Sequence, residues 1–399
     1  MLTPEQLAEL PQYIEDLFRD YDEFIIRDFA RRVAEAGRVT DTAKWQARRA
    51  SEWGASKEAI DAEAKRVLRL SNRGVSNILT DAFNLSNAAD YHRYRGAGLI
   101  VDRAISSERL MRYLEAAIKQ TNGTMSNITG TMGFVTGRNG KILSLTSAYT
   151  RALDLAQLQV SSGVLDYNTA IRNAVKTLAD SGVQYIDYEN GYHMNIGSAA
   201  RMCTLTGVNQ MAARMNDQIC DELGLDLVEV TAHAGARPSH QVWQGGIYSR
   251  SGKSDKYEDL YAATGLGTAG GLCGAFCRHN YYGYLEGSPR TWTPEKLANI
   301  DPPPVVIDGK EYSYYDLTQK QRDMERQIRA TKRELLGYDE IPEMRDEFVA
   351  ASIRLNRQRR RYEEFSEKAG LPTKPDRTQE YKYGRSISTK AVWAHRKGA

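Results

Sequence analysis

Residues 14–37 read IEDLFRDYDEFIIRDFARRVAEAG. Ile14, Leu17, Phe18, Tyr21, Ile25, Phe29 and Val33 recur at three- and four-residue steps, with Asp, Glu and Arg filling the gaps. One apolar stripe on a charged cylinder predicts an amphipathic helix laid on a core, and Gly37 ends it. Just upstream, Thr3-Pro4-Glu5-Gln6 has the makings of a helix start: Thr caps, Pro takes the first turn and Gln stands at the capping-box position. Downstream, the same spacing predicts helices over Asp41 to Trp53, Lys57 to Leu70, Gly74 to Tyr91 and Ser107 to Gln120. Residues 1–120 therefore read as a helical bundle. They gather no His, Cys or paired acids in the manner of a catalytic centre, so the region is expected to be scaffold or docking surface.

Composition excludes several classes. The chain has 399 residues, 41 % hydrophobic and 26 % charged, which is neither a disordered nor a membrane-embedded balance. No run approaches the roughly 18 to 20 apolar residues of a membrane helix, and Met1-Leu2-Thr3-Pro4-Glu5-Gln6 lacks the blocks of a signal peptide, so no membrane partner is expected. Lys and Arg number 54 against 51 acids, an excess too small to dictate a partner. Four cysteines are too few for a disulfide framework and point to a reducing compartment.

Proline divides the chain. After Pro11 none occurs until Pro238, whereas five fall between Pro289 and Pro304, which predicts an extended linker over residues 289–310. Residues 121–140, with Asn122-Gly123, Gly130, Gly133, Gly137 and Asn139-Gly140, read as loop. Helices are expected again at Leu145 to Gln159 and Asp166 to Ala179, the latter capped by Asp166 and closed by Gly182. Tyr185-Ile186-Asp187-Tyr188 and Tyr192-His193-Met194-Asn195-Ile196 flank Glu189-Asn190-Gly191, a strand pair with Asn-Gly suited to a type I′ turn. Ser198 to Leu223 is helical, with Cys203 and Cys220 as core, and Leu225 to Thr231 reads as a strand. The expected fold class is α+β, helix-dominated: an N-terminal helical bundle (1–120), a Gly-rich mixed α/β module with a β-hairpin (121–288), the linker (289–310) and a C-terminal helical hairpin with a basic tail (311–399).

Between Gly235 and Gly287 lie 11 glycines. Two blocks stand out: His233-Ala234-Gly235-Ala236-Arg237-Pro238-Ser239-His240 running on to Trp243 and Gly245, and Gly270-Gly271-Leu272-Cys273-Gly274-Ala275-Phe276-Cys277-Arg278-His279. Cys273, Cys277 and His279, with His233 or His240 upstream, offer the ligand types of a Cys2His2 zinc site, which would add metal-binding energy to the folding of a loop-rich segment. The spacing Cys-x3-Cys-x-His lacks the usual second short pair. The other reading makes the cysteines small buried thiols and the histidines hydrogen-bond partners of loop backbone. A thiol nucleophile or hydrolytic metal is a further possibility for these residues, but no HExxH, GxSxG or acidic pair accompanies them, and Glu229 and Glu258 stand alone. Gly265, Gly267 and Gly270 spell GxGxxG without the strand before or the helix after that a phosphate loop needs.

Arg237-Pro238-Ser239-His240 with Trp243 and Gly245, followed by Gly271-Leu272-Cys273-Gly274 and Cys277-Arg278-His279, resembles the tailed-phage minor capsid protein family, related to the Mu F-like head morphogenesis proteins. Leu2-Thr3-Pro4, Asp28-Phe29-Ala30-Arg31-Arg32 and Thr42-Ala43-Lys44-Trp45-Gln46 resemble its opening, and Gln321-Arg322 to Glu325-Arg326 with Ile328-Arg329 its tail, so the likeness runs from about residue 1 to 385. Many Mu F-like relatives carry Cys-Arg-Cys where this chain has Cys277-Arg278-His279, and both keep a ligand type at the last position. The resemblance implies a bacteriophage virion structural protein in few copies, not an enzyme, associated with the portal vertex and acting in head assembly. Portal and/or capsid proteins would be its partners, with host cytoplasm as the assembly site and the capsid interior or portal vertex as its destination. Some relatives continue into a toxin domain, whereas the 95 residues after Pro304 show no toxin chemistry.

In the tail, Leu317 to Leu336 and Glu343 to Lys368 predict two helices joined around Gly337 to Pro342. Arg354, Arg357, Arg359, Arg360 and Arg361 crowd into eight residues, with Glu363, Glu364 and Glu367 nearby. Residues 371–399 carry seven basic and two acidic side chains with Tyr381, Tyr383 and Trp393 among them. Such a tail suits contact with packaged DNA through phosphate charge and base stacking, and equally a solvated helical hairpin. Two rival functions remain: a metal-dependent enzyme or toxin built on the His/Cys cluster, and a free nucleic-acid-binding protein acting through the Arg-rich tail.

Overall fold

A computed structural model describes residues 2–37, 42–96, 103–136, 140–161, 167–187, 189–380 and 385–398. Of the residues singled out above, Asp41, Gly137, Asn139, Asp166, Tyr188, Tyr381 and Tyr383 lie outside that set. In chain order the elements are α1 (Pro4–Glu9), α2 (Gln12–Gly37), α3 (Thr42–Gly96), α4 (Arg103–Gly130), β1 (Met132–Thr136), β2 (Lys141–Ser144), α5 (Leu145–Ser161) and α6 (Tyr167–Ser181). Next come β3 (Gln184–Ile186), β4 (His193–Asn195), α7 (Ile196–Leu223), β5 (Leu227–Val230), α8 (Pro238–Gln241), β6 (Ile247–Ser249), α9 (Leu260–Thr264) and β7 (Tyr281–Gly283). The chain ends with α10 (Pro294–Ala298), β8 (Val305–Ile307), β9 (Lys310–Tyr312), α11 (Tyr314–Asp339), α12 (Arg345–Lys368), α13 (Pro375–Thr378) and α14 (Arg385–Gly398). Helix dominates and all the strand pairs are antiparallel, so the class is helix-dominated α+β. Among the described residues no helix is long and apolar enough to cross a membrane.

The three helices expected between residues 41 and 91 are one, the 55-residue α3. No proline interrupts it, and Gly54 and Gly74 within it cost an α-helix only about 1 kcal/mol each. Likewise residues 121–130, expected as loop, complete α4, and 132–136 form β1. Glycine spacing alone did not separate a loop from a helix end followed by a strand.

Two compact units form, each from three separate stretches of chain. The second unit comprises Asp16–Arg69, Asn127–Ala199 and Leu317–Ala399. Its sheet has the order β2-β1-β3-β4. The apolar stripe of α2 delivers Phe29 to Phe134 of β1 and Tyr149 of α5, with ring centroids 5.9 and 4.9 Å apart. Trp53 of α3 completes the aromatic core against Tyr149. Asp22, on the same helix, accepts the Val183 N–H at 2.7 Å and the Asn195 side-chain amide at 3.2 Å, tying α2 to β4 and to the turn after α6.

The predicted hairpin exists, with Tyr185 opposite Met194 and Ile186 opposite His193. Its turn is not type I′. Gly191 has φ +76°, while Asn190 is not at positive φ, and the Asp187 carboxylate instead accepts the Glu189 N–H and the Asn190 amide. The side chain of Asp187 organises a longer loop, so Asn190 need not enter the left-handed region.

At the end of this unit α11 and α12 run antiparallel. Gln321 bonds Ser366, Tyr362 donates to Glu325, and Arg354 pairs with Glu334, a ladder that reverses direction through the 3-10 turn Pro342–Met344. Gly337, expected at the helix junction, lies inside α11, where a Cβ would stand 2.6 Å from Val175 Cγ1 of α6.

The first unit comprises Met1–Glu15, Leu70–Ser126 and Ala200–Asp316. Its N-terminal cap is as expected: Thr3 Oγ1 accepts the Gln6 N–H and Gln6 Oε1 accepts the Thr3 N–H. A three-stranded sheet, β6-β5-β7, is central, with Val228 facing Tyr248 on one side and Gly283 on the other. Tyr94 of α3, Ala213 and Cys220 of α7, Val228, Val230, Trp243, Leu272, Cys273, Cys277 and Tyr281 share one buried core. Cys203, also read as core, is buried with its thiol donating to the Thr121 carbonyl.

In the stretch 289–310, Thr293 caps α10, and β8 and β9 pair with Ile307 opposite Lys310. Asp308 and Gly309 between them have φ of +51° and +79°. Both central residues at positive φ is the requirement of a type I′ turn, so that turn falls at Asp-Gly here.

Candidate metal centre

The Gly-rich segment is irregular, and the loop itself takes up many of its backbone N–H groups. Gly265, in the left-handed region at φ +63°, closes α9, and the chain then folds back so tightly that a Cβ on Gly271 would lie 2.0 Å from the Gly265 carbonyl oxygen. Only glycine fits there. The N–H groups of Thr268, Gly271, Leu272, Gly274, Ala275 and Cys277 all donate to carbonyls within the segment. Within the GxGxxG stretch, the Gly265 and Thr268 amides donate to the Tyr261 and Gly265 carbonyls.

α7 pins the other side. Asn209 donates to the Cys277 and His279 carbonyls at 3.1 and 2.8 Å, Asn216 donates to the Tyr281 carbonyl at 2.6 Å, and the Asn280 amide donates back to Asn209. These asparagines were not singled out from the sequence. Two of them, seven residues apart on one face of a helix, were the available signal.

With both segments fixed, His240 from α8 and Cys277 and His279 from the approach to β7 converge. Nδ1 of His240 lies 3.4 Å from Nδ1 of His279, and Cys277 Sγ lies 3.8 and 3.7 Å from the two nitrogens. These three donor atoms are the group among the described residues that lie within 4.8 Å of one another. All three residues are at most 2 % exposed. The outer nitrogens are engaged: His240 Nε2 with the Gly270 carbonyl at 2.9 Å, His279 Nε2 with Gln244 Oε1 at 3.1 Å. Gln244 Oε1 also accepts the His233 N–H, which identifies it as the oxygen. Both outer nitrogens therefore carry the proton, and both inner nitrogens present lone pairs.

The other two candidates stand alongside. The His233 ring stacks on His279 with centroids 4.3 Å apart, and its Nδ1 meets the Ala234 carbonyl and Arg278. Cys273, at φ +57°, directs its thiol to the His279 carbonyl at 3.7 Å. Burial pushes all three imidazoles down, His233 to about 4 with help from the Arg278 charge, so they are neutral near pH 7. Burial pushes the Cys277 thiol up, opposed by the His279 and Cys273 backbone N–H groups and by Arg237 and Arg278. No carboxylate joins the cluster among the described residues. Glu229, which stood alone in the sequence, is a buried structural acceptor: it takes the Tyr282 hydroxyl and the N–H groups of Thr291 and Trp292.

The arginines of the second candidate surface are spread around α12. Arg354 is bound to Glu334, Arg359 is half-buried, and Arg357, Arg360 and Arg361 are exposed. Arg359 and Arg360 border a groove shared with Ser388, Ala391 and Val392 of α14, on which Trp393 is exposed.

No curated protein and no solved structure matches the chain. The family described as Phage minor capsid protein 2 matches residues 2–366, a span that takes in α1, the Gly-rich segment with its three converging side chains, and most of α12. With nearly the whole chain matched, this protein belongs to the phage minor capsid protein 2 family.

Proposed function

We propose that this chain, a virion structural protein by its family, sits at the portal vertex and acts in head assembly without catalysing a reaction. The observation that carries this reading is the extent of the family match, residues 2–366. The geometry supports it. The His/Cys cluster is sealed inside the first unit's core, with its outer nitrogens bound to protein and, among the described residues, no carboxylate beside it, which suits a fixed structural element better than a substrate site. Portal or capsid subunits are the partners of this reading, met during assembly in the host cytoplasm and kept in the particle.

Purified virions, emptied heads and tails, probed with an antibody to this chain, test the reading. Label confined to one vertex of the head supports it. Absence from virions, or label spread over the shell or tail, overturns the portal assignment.

Exposed Arg357, Arg360 and Arg361 on α12 favour one addition, contact with packaged DNA through phosphates. Charge alone recommends it, and it belongs to the same assembly reading rather than to a separate nucleic-acid-binding protein.

A further inference from the structure

Two imidazole nitrogens with their lone pairs facing at 3.4 Å repel unless a positive centre sits between them. The Cys277 S–H, close to both, can donate to only one. A metal ion satisfies all three atoms together. Tetrahedral coordination with metal–nitrogen bonds of about 2.0–2.1 Å and a metal–sulfur bond of about 2.3 Å sets the nitrogen–nitrogen edge at about 3.4 Å and the nitrogen–sulfur edges at about 3.6 Å. The corresponding edges here are 3.4, 3.7 and 3.8 Å.

The surroundings fit the same chemistry. Each ligating imidazole would donate its outer N–H to a fixed oxygen, Gly270 or Gln244, the arrangement that orients metal-bound histidines. Cys277 Sγ accepts the His279 backbone N–H at 3.3 Å, a bond that favours a thiolate. Two neutral nitrogens and one sulfur are a borderline-soft donor set of the kind zinc takes.

We propose that His240 Nδ1, Cys277 Sγ and His279 Nδ1 bind one zinc ion, which staples α8 to the segment entering β7 and stabilises the first unit. The three side chains supply three of zinc's four tetrahedral positions. Cys273 and His233 are not ligands in this assignment, because neither has a donor atom in the group lying within 4.8 Å of one another, and the His233 ring stacks against a ligand. The staple is independent of where the protein sits in the virion.

The test uses the full chain purified without chelator, as wild type and as Cys277→Ser, His240→Gln, Cys273→Ser and His233→Gln variants. Bound metal is measured by elemental analysis, and the zinc is then exchanged for cobalt. The expected result is one zinc per chain in wild type, Cys273→Ser and His233→Gln, with a thiolate-to-cobalt charge-transfer band in each. Cys277→Ser and His240→Gln hold less than a tenth of that metal. Should those two variants fail to fold, chelation of the wild type decides: its unfolding temperature falls and returns on adding zinc. A wild type that binds no metal, even after incubation with zinc, overturns the proposal. So does a cobalt spectrum without the thiolate band, or loss of that band in Cys273→Ser with retention in Cys277→Ser.

Discussion

Glu229 Oε1 accepts the backbone N–H of Trp292 at 2.8 Å, so a carboxylate in the middle of β5 fastens the chain that follows β7. Its other oxygen holds the Tyr282 hydroxyl and the Thr291 N–H. Glu229→Ala strands the buried Tyr282 hydroxyl and two partly buried N–H groups, and the expected loss is about 2–3 kcal/mol of unfolding free energy. Glu229→Gln keeps the shape and one acceptor and loses less. Urea unfolding followed by tryptophan fluorescence measures both.

Gly337 is required by contact and not by backbone angle. Gly337→Ala places a methyl against Val175 and is expected to cost about 1–3 kcal/mol by overpacking. Val175→Ala in the same chain opens the space, so the double variant should be more stable than the two single losses summed. A double-mutant cycle in denaturant checks this.

Burial raises the Asp22 carboxyl to about 6, against the pull of Arg333 and the hydrogen bonds from Val183 and Asn195. In the unfolded chain an aspartate titrates near about 3.9, so between these values the folded state binds more protons. Asp22 therefore favours folding most below about pH 4, and that contribution is lost as pH rises through 6, by on the order of 2–3 kcal/mol. Asp22→Asn should remove that fall. Unfolding midpoints of the two proteins from pH 4 to 7 show it.

Gln244 orients the His279 ring through the Nε2 proton. With zinc at the proposed centre, Gln244→Ala weakens metal affinity on the order of 10–100-fold while leaving all three ligands in place. Competition with a zinc chelator of known affinity measures the change.

Charge reversal at Arg357, Arg360 and Arg361 leaves the α11–α12 ladder of Gln321, Glu325 and Glu334 untouched. If the tail meets DNA phosphates, the triple Glu variant binds duplex DNA more weakly, and the slope of log affinity against log salt falls by about 0.9 for each phosphate no longer neutralised. Unchanged affinity and slope would remove DNA from the assembly reading.

Much of the local structure was legible. The stripe from Ile14 to Val33 specified α2, Thr3 and Gln6 specified the cap of α1, and the two runs around Glu189-Asn190-Gly191 pointed to the pairing of β3 with β4. Where sequence reading failed, local preference was weak. Gly54 and Gly74 are tolerated within α3, and Asn190-Gly191 lost the type I′ turn to a competing Asp187 side chain. At Asp308-Gly309 both residues take positive φ, and the turn took that form.

The sequence by itself determined the helix over residues 14–37 and the face it buries, the helical hairpin of the tail, and that His and Cys of ligand type occupy two Gly-rich blocks. Only the tertiary structure decided that His240, Cys277 and His279 meet while His233 and Cys273 turn to other partners. Ligand capacity is a property of each side chain, readable residue by residue. A distance of 3.4 Å between residues 39 apart depends on the β5–β7 register, the Asn209 and Asn280 bonds and the reversal at Gly271, none of which a local pattern encodes.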